Sequence, residues 1–396
     1  MKYMSLDDIC EMVTDGTHAS FKDSGKGFPF LTVKDMTENG LDFSGCIHIS
    51  QEEYDRADAG NSAPKLGDVL FSKDGTVGKV CVVREKREFA VLSSIAILRP
   101  KKEIADSSYL GYILGFQKTI DEASKRKTGS AVRRIILKDL KQVEIPLPPL
   151  EEQRRIAAIL DKADGVRRKR KEAIRLTKEL LRSTFLEMFG DPVTNPKGWE
   201  VRELGDCVKD IESGWSPKCD TRQAEPEEWG VLKLGAVTYG HFNPDENKAM
   251  LPDDVPRQEL EIKTGDLLVT RKNTYELVGA SAFVQMTRPK LMLPDLIFRL
   301  RLIDGIDPVY VWQTLSQKTM RLKLSGLAGG TAGSMPNISK ARLRTLPFPV
   351  PPQLLQLKYR EIFNQFWLKK EHQKESEEIS ENLFNSLLQR AFRGEL

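Results

Sequence analysis

The sequence contains one long segment twice, and this internal repeat is the strongest constraint on how the chain can fold. Residues 141–192 and 344–396 each begin with a proline-rich stretch and continue into a long, charged, helix-like sequence. A repeat of about 200 residues has the size of a domain plus a helix, not of a solenoid unit. The matched positions, each 203 residues apart, are Pro146 and Pro349, Pro148 and Pro351, Pro149 and Pro352, Ser183 and Ser386, and Phe189 and Phe392.

Shorter matches extend the repeat over the rest of the chain. MSLDDICEMVTDGTH at 4–18 resembles WEVRELGDCVKDIESGWSP at 199–217, and KLGDVLFSKDGTVGKV at 65–80 resembles KTGDLLVTRKNTYELVG at 263–279. Between these matches the two halves differ freely. One scaffold with two sets of loops is what we expect of two modules that bind different targets.

Composition indicates a globular protein and excludes several other classes. The 396 residues have room for two to four domains, and 40% are hydrophobic and 30% charged. No run of 18 apolar residues is present, and MKYMSLDDIC lacks the apolar region of a signal peptide. The five scattered cysteines, which predict reduced thiols and a cytoplasmic protein, are Cys10, Cys46, Cys81, Cys207 and Cys219.

The net charge of +4 is concentrated in one segment. Residues 151–189 carry 11 Lys and Arg against 7 Asp and Glu, whereas acids and bases balance in the rest of the chain. A protein with this distribution is not a general nucleic-acid coat, so any DNA binding must use local patches. The basic run RRKRK at 167–171 is typical of a solvated helix face, with DNA or an acidic partner as the alternative.

Residues 1–145 alternate short apolar runs with turn sequences and predict an α+β domain with many loops. The runs FPFLTV, GDVLFS, KVCVVRE and VLSSIAILR favour strands. Apolar residues spaced three and four apart over 107–123 predict one helix. Pro146–Pro149 cannot continue a strand and marks a boundary.

Two long helices are predicted after the proline-rich stretches. The first has about 39 residues and a length of roughly 58 Å. Its seam follows coiled-coil spacing, apolar at both ends and charged in the middle, through Ile156, Leu160, Ala163, Arg167, Arg170, Ile174, Thr177, Leu181, Thr184 and Met188. The second helix has a polar middle at 369–380 and a predicted seam through Ile362, Phe366, Leu383 and Leu387. We expect the two helices to pack on each other at their apolar ends.

Several of these segments resemble the specificity subunit of type I DNA restriction-modification systems. The resemblance is carried by IPLPPLEEQRRIAAILDKAD at 145–164, FLEMFGDPVTNPKGWEVRELGD at 185–206 and AFRGEL at 391–396, and it extends over essentially the whole chain. It implies an α+β fold in which two similar α/β target-recognition domains are separated by two long helices that form an antiparallel coiled coil. The implied order is a first recognition domain at 1–148, a central helix at 149–190, a second recognition domain at 191–349 and a distal helix at 350–396.

The same resemblance implies a function. Each recognition domain would bind one half of a bipartite double-stranded DNA site. Two modification subunits would supply S-adenosylmethionine and methylate an adenine in each half, and restriction subunits would cleave. The specificity subunit itself would carry no catalytic site, no cofactor and no metal.

One departure from the repeat bears on the partners. Where the first helix begins PLPPLEEQRRI, the second begins PVPPQLLQLKY, so that acidic and basic residues give way to leucines. That end of the second helix is expected either to be more deeply buried against a partner or to dock a modification subunit differently.

The rival reading is a self-contained DNA methyltransferase or nuclease. An amino-methyltransferase needs a D/N-P-P-aromatic loop for the flipped base, and the two Pro-Pro pairs here lie in LPPL and VPPQ. The segment GTVGKV at 75–80 has neither the spacing nor the final hydroxyl of a phosphate-binding loop. Pro252, Asp253, Glu261 and Lys263 match a loose PD…ExK nuclease pattern that has no equivalent in the first half. The four histidines (18, 48, 241 and 372) lie far apart, which favours loop roles.

DNA-reading residues are expected in the loops where the halves differ. Arg and Lys bind guanine at base edges, and Asn and Gln bind adenine, although phosphate contacts outnumber base contacts. In the first domain we predict DNA contacts from Thr17, His18, Lys22, Lys34, Lys73, Lys79, Arg133 and Arg134. In the second we predict them from Lys218, Lys233, Arg271, Lys272, Asn273, Ser334 and Asn337. The recognised bases and the spacer length do not follow from the sequence.

Overall fold

The computed structural model of the chain describes residues 2–125, 134–329 and 335–396. Contacts divide the chain into two compact units, the first made of Met1–Ile174 and Gln373–Leu396 and the second of Arg175–His372. Each unit combines a helix-and-sheet domain with parts of both long helices, so the α+β prediction is confirmed. The domain bounds stay predictions.

The first unit contains eleven strands in its described part. They are β1 (Tyr3–Ser5), β2 (Cys10–Asp15), β3 (Phe28–Leu31), β4 (Met36–Thr37), β5 (Gly40–Leu41), β6 (Ile47–Ile49), β7 (Val69–Ser72), β8 (Val80–Val82), β9 (Ala90–Val91), β10 (Ile95–Pro100) and β11 (Glu144–Pro146). Its helices are α1 (Leu6–Ile9), α2 (Gln51–Ala59), α3 (Ser107–Gly115), α4 (Gln117–Lys125), α5 (Leu137–Lys141) and the first part of α6 (Leu150–Phe189).

The second unit repeats this order. Its strands are β12 (Glu200–Glu203), β13 (Val208–Ser213), β14 (Gly230–Leu232), β15 (Asn247–Ala249), β16 (Leu267–Thr270), β17 (Ser281–Phe283), β18 (Leu291–Met292), β19 (Ile297–Leu302) and β20 (Pro347–Val350). Its helices are α7 (Gly235–Thr238), α8 (Pro308–Ser316), α9 (Lys318–Gly326), α10 (Lys340–Arg344) and the first part of α11 (Gln353–Arg393).

The central sheets of the two units have the same topology. The first is ordered β2-β10-β7-β8 and the second β13-β19-β16-β17, and all pairs are antiparallel. Val69 lies opposite Leu98, and Leu267 lies opposite Leu300. Every residue of β7 and β16 is buried, as the uninterrupted apolar runs indicate for strands covered on both faces.

Smaller sheets complete each unit. One has the order β6-β3-β9 in the first unit and β15-β14-β18 in the second, with one parallel pair in each. The strand that opens each domain pairs with the proline-rich strand that closes it, β1 with β11 and β12 with β20. β11 ends at Pro146, so the segment Pro146–Pro149 does not continue a strand, whereas the matching strand β20 begins at Pro347 and includes Pro349. Each strand of a two-stranded pair has one outer edge without hydrogen-bond partners. Proline, which has no backbone N–H, is tolerated at such an edge.

The single helix predicted over 107–123 is two helices. Phe116 separates α3 from α4 and has extended backbone angles (φ −74°, ψ 127°). Its ring lies 5.4 Å from that of Phe392. The apolar spacing of the sequence continues across Phe116 to Ile120, so it does not reveal the break.

Helices α6 and α11 pack on each other inside each unit, in opposite directions. In the first unit Ile156 and Leu160 of α6 share a core with Phe384 and Phe392 of α11. In the second unit the rings of Phe185 and Tyr359 lie 5.5 Å apart. The beginning of each helix thus meets the end of the other, as the repeat predicts for an antiparallel pair.

The predicted seam of α11 is confirmed at Leu387, which packs against the core of the first unit, but is displaced by one residue at its other positions. Leu383 is 55% exposed, and Ile362 and Phe366 are only half-buried. The contacts come instead from aromatic and small residues, which are Tyr359, Phe363, Phe384, Ala391 and Phe392. Two adjacent apolar residues at 362–363 and at 383–384 fit either seam, and the aromatic member is the buried one each time.

One glutamine joins each long helix to its own domain. Gln153 is fully buried, accepts from the backbone N–H of Asp106 (2.9 Å) and donates to the carbonyl of Pro148 (2.8 Å). Gln356 makes the same two bonds with Asp307 (2.9 Å) and Pro351 (2.8 Å). This position fixes the first turn of the helix against the domain, and the repeat P-P-x-x-x-Q is its sequence signal.

Candidate nucleic-acid interface

A glycine follows the first long strand of each unit and fixes where the next loop begins. A Cβ on Gly16 would clash with the carbonyl of Val91, and a Cβ on Gly214 would clash with that of Leu293. The following residue is anchored to the same strand end, because the N–H of Thr17 donates to Val91 (3.0 Å) and the N–H of Trp215 to Leu293 (2.9 Å). Both loops therefore leave the sheet from equivalent points.

A second loop in each unit is tied to the strand end beside the first loop. The N–H of Ile135 donates to the carbonyl of Lys73 (2.8 Å), and the N–H of Ile338 donates to that of Arg271 (2.9 Å). Isolated bridges pair Asp74 with Arg134 and Lys272 with Asn337. Arg134 and Asn337 thus occupy matching positions in the two units. Each lies next to other predicted DNA-contacting residues that are far away in the sequence.

In the first unit these positions form a cluster of alternating charges. Lys73 is 1% exposed, and its Nζ lies 3.3 Å from a carboxylate oxygen of Asp15 and 3.0 Å from one of Asp74. The Nε of Arg134 lies 3.0 Å from the other oxygen of Asp74. His18 Nε2 lies 3.7 Å from Asp15. Two predicted DNA contacts, Lys73 and Arg134, therefore share one ionic cluster, and a third, His18, lies beside it.

In the second unit the same positions are basic and amidic. The Nε of Arg271 donates to Oδ1 of Asn337 (3.1 Å), and its guanidinium lies 5.7 Å from the ring centre of Phe298. Ser213 replaces Asp15 and Lys272 replaces Asp74. The structure therefore brings Arg271, Lys272 and Asn337 together.

Two predicted residues are engaged within the fold. Lys79 donates its Nζ to the carbonyls of Val33 (3.1 Å) and Met36 (2.8 Å). Asn273 is buried and donates to the hydroxyl of Thr238 (3.2 Å). Both side chains hold a neighbouring turn in place, so their polar groups are directed inward.

The remaining predicted residues are more dispersed. Lys22 and Lys218 are exposed on loops, and Lys34 is exposed in the short 3₁₀ helix Val33–Asp35. Lys233 is half-buried just after β14. Arg133 and Ser334 lie outside the described residues. A set chosen from sequence thus contains two compact clusters and several separate surface lysines.

Sequence reasoning missed the acidic partners and several aromatic residues. Asp15 and Asp74 are the carboxylates that hold Lys73, and no acidic residue was among the predicted candidates. Tyr239 and Tyr275 are 74% and 60% exposed in loops of the second unit, and Arg257 lies over the ring of Trp215 at 4.4 Å. Aromatic residues in the turn sequences TYGH and NTYE were the available signal.

The basic run 167–171 is largely paired inside the first unit rather than solvated. Arg167 bonds to Asp164 (2.7 Å) and to Glu381 of α11 (3.1 Å), and Arg170 contacts Ser376. Lys171 lies 2.9 Å from Glu38, and this hydrogen bond lowers the pKa of the Glu38 carboxyl. The charged middle of the helix therefore joins α6 to α11 and to the domain.

A buried ionic network underlies the sheet of the second unit. Arg299 is 1% exposed and binds Glu212 (2.5 Å) and Asp266 (3.2 Å), and Arg301 binds the same two carboxylates. Burial raises the pKa of Glu212, but the hydrogen bonds from Arg301 and Arg299 outweigh it and lower the pKa below its usual 4.5. The first unit has a simpler pair, Arg99 with Asp68.

The residues of the PD…ExK pattern do not form a metal-like group. Glu261 accepts a hydrogen bond from the N–H of Lys290 (2.7 Å), and Asp253 is an exposed turn residue. Within residues 2–125, 134–329 and 335–396, no three His, Cys, Asp or Glu side chains are placed to hold a metal ion together. None of the helices described here is both long and apolar enough to cross a membrane.

Comparisons with known proteins agree on one family. Residues 1–176 match the family model for the type I restriction modification DNA specificity domain. The chain is 36% identical over 178 residues to the EcoEI specificity subunit of Escherichia coli, a match that covers 44% of this chain and 30% of that protein. It is 24% identical over 350 residues to the MjaVIII specificity subunit of Methanocaldococcus jannaschii, covering 81% and 78%.

A solved structure shares the fold. The S subunit of a type I restriction-modification system from M. genitalium superposes with a TM-score of 0.61 at 14% identity, over 99% of this chain and 96% of that one. At this identity the likeness supports the fold alone. The chain spans about a third of the length of the EcoEI subunit and about three quarters of the MjaVIII subunit.

Proposed function

We propose that this chain belongs to the family of type I restriction-modification specificity subunits, and that it is the DNA-reading subunit of such a complex with no catalytic site of its own. Each unit binds one half of a bipartite site. Partner modification subunits methylate an adenine in each half, and partner restriction subunits cleave. Because its target is DNA, we further propose that it acts in the cytoplasm.

The observation that carries this proposal is one loop framework built twice with different side chains. Both units anchor one loop beside a glycine, at Val91 or Leu293, and a second loop at the residue that follows β7 or β16. At matching points the first unit presents Asp74 and Arg134, and the second presents Lys272 and Asn337. Repeated scaffold with altered polar groups suits two binding surfaces that discriminate different base edges.

Partner docking is supported by exposed apolar residues on the helices. Leu354 is 81% exposed and Leu357 is 40% exposed in the first turns of α11, and Leu180 is 54% exposed on α6. Large exposed apolar side chains close together on a surface mark protein interaction sites. We assign these helix faces to the modification subunits.

A domain exchange tests the proposal. The chain is co-expressed with its modification subunits in a host without adenine methylation, and methylated adenines are mapped across the genome. Replacing residues 1–145 with the matching domain of a relative should change one half of the methylated motif and leave the other unchanged. The reciprocal exchange of residues 199–348 should change only the other half. A change in both halves from either exchange would contradict separate reading.

The purified chain provides the test of the catalytic alternative. Incubated with DNA and S-adenosylmethionine, or with DNA and Mg²⁺, it should neither methylate nor cut. Substitution of Glu261 by Gln should leave the methylated motif of the complete complex unaltered. Methyl transfer or Mg²⁺-dependent cleavage by the pure chain would support the self-contained enzyme instead.

A further inference from the structure

The positions of Arg134 and Asn337 differ from ordinary surface sites because the backbone at each is fixed in the same way. The following isoleucine, Ile135 or Ile338, is buried and donates its N–H to the residue after the central strand. The side chain one residue earlier therefore starts from a defined point beside the first loop. What differs between the units is only the chemistry placed there.

In the first unit the Arg134 side chain is both exposed and oriented. It is 56% exposed, and its Nε side forms an ion pair with a carboxylate oxygen of Asp74 at 3.0 Å. A guanidinium that faces a carboxylate on its Nε side can still present its two terminal NH₂ groups, which is the pattern that binds O6 and N7 of guanine. Asp74 is in turn held by Lys73, whose side chain is 2% exposed and also pairs with Asp15.

The buried lysine explains how a carboxylate can stand at a DNA-binding surface. An unpaired Asp74 would repel phosphates, but Lys73 and Arg134 together offset Asp74 and Asp15. An exposed Arg–Asp pair on its own contributes little to stability. The buried lysine behind this pair is therefore better explained by the orientation of Arg134 than by a contribution to the stability of the fold.

In the second unit the partner roles are reversed. Arg271 donates its Nε to Oδ1 of Asn337 at 3.1 Å. An arginine can only donate, so this bond fixes which end of the amide is the carbonyl. Oδ1 keeps a second lone pair and Nδ2 keeps its two hydrogens, the acceptor and donor that bind N6 and N7 of adenine.

We propose that Arg134 specifies a guanine in the half-site read by the first unit and that Asn337 specifies an adenine at the corresponding position of the other half-site. Asp74 and Arg271 are positioning residues that orient these two readers. This inference rests on the proposed function, because it assigns bases within the two half-sites.

The test uses the complete methyltransferase complex carrying Arg134→Ala. Mapping of methylated adenines should show that one guanine of the first half-site is no longer required, while the second half-site is unchanged. A bidentate contact is worth a discrimination of roughly 5- to 150-fold against the wrong base. Asn337→Ala should release one adenine in the second half-site only. Lys102→Ala, an exposed lysine of the first unit that is not among the predicted DNA contacts, is the control and should change no required base.

A binding measurement keeps the test decisive if a variant methylates too weakly to map. Oligonucleotides carry 7-deazaguanine, which lacks the N7 acceptor, at each guanine of the wild-type motif in turn. The wild-type complex should lose affinity at one first-half position, and the Arg134→Ala complex should be insensitive there. Asp74→Asn should weaken that discrimination in the wild-type background and have no further effect beside Arg134→Ala, which a merely structural role would not produce.

The outcomes separate this inference from the proposed function. If the wild-type complex methylates no bipartite motif, the proposed function is wrong. If it does, but Arg134→Ala leaves every first-half base required and equally sensitive to 7-deazaguanine, the inference alone is overturned. Release of a base other than guanine by Arg134→Ala overturns it as well.

Discussion

Gly16 and Gly214 have ordinary backbone angles, so their requirement for glycine comes from space alone. We expect Gly16→Ala to cost about 1–3 kcal/mol, because its methyl group would displace the strand end at Val91. Gly214→Ala should behave alike in the second unit through Leu293. Urea unfolding of the purified chain measures both.

Two other glycines are matched controls for this prediction. No atom lies within 4 Å of a Cβ built on Gly45 in the first unit or Gly326 in the second. Alanine at these positions should be neutral or slightly stabilising. Equal losses at all four glycines would mean that backbone freedom, and not the close approach, is the cause.

Glu212 should give the second unit a distinct acid sensitivity. Its pKa is lowered in the folded protein, so its stabilisation is complete above about pH 4.5 and is lost as the pH falls through the folded value. Glu212→Gln should cost about 3 kcal/mol near neutral pH, because buried Arg299 loses one carboxylate and keeps Asp266. The difference from wild type should shrink on acidification, as followed by unfolding free energies between pH 3 and 7.

The exposed pair of Lys209 and Asp304 is the control for this pH series. Asp304 is fully exposed, and its substitution by Asn should change stability little at any pH. If the difference in unfolding free energy between wild type and Glu212→Gln stayed constant down to pH 3, the arginine partners would not lower the pKa of Glu212.

At the scale of elements, the junction of each long helix with its domain depends on one buried amide. Gln153→Leu and Gln356→Leu should each cost roughly 1–3 kcal/mol, because the N–H of Asp106 or Asp307 would be left buried without an acceptor. Gln353→Leu, in the exposed first turn of α11, should have little effect. Thermal unfolding compares the stability of the three variants. If Gln353→Leu lost as much stability as the other two, the buried glutamines would have no special role at the junction.

The elements themselves were largely predictable, and the exceptions have physical causes. Short apolar runs located central strands of the first unit, and coiled-coil spacing located both long helices, because burial dictates those patterns. The break at Phe116 was not predictable, since the apolar spacing continues across it to Ile120. The seam of α11 was ambiguous because Phe363 and Phe384 each follow another apolar residue.

The candidate site was predictable in its loops but not in its contacts. Residue type alone placed Lys73, Lys79 and Asn273 among DNA contacts, and the structure engages all three with protein groups. Their partners come from segments that fold next to them only through the sheet. Burial of a polar side chain is set by such tertiary neighbours, which composition and spacing do not contain.

At the scale of the whole molecule, the boundaries between units give a site for testing whether the helices set the half-site spacing. Seven residues inserted after Ile174 and seven after His372 keep the heptad phase and leave each unit's internal contacts in place. Each helix lengthens by about 10.5 Å at 1.5 Å per residue. With roughly 3.4 Å per base pair, the unspecified spacer should grow by about three base pairs.

Mapping of the methylated motif measures the length of the spacer directly. The bases required in each half should stay the same, because the loops that contact them are untouched. A single insertion, in α6 alone, is the matched control and should abolish activity by shifting the helices out of register. Full activity of the double insertion with an unchanged spacer would show that the helices do not set the distance.

The first unit is built from two segments that are far apart in the chain, with the whole second unit between them. During synthesis the core around Leu160 must therefore wait for Phe384 and Phe392 to leave the ribosome. At about 5–20 residues per second, the delay over some 200 residues is roughly 10–40 s. Throughout that interval an apolar face of the nascent first unit lacks the helix that covers it. Chaperones therefore have more time to bind this face than to bind the contiguous second unit.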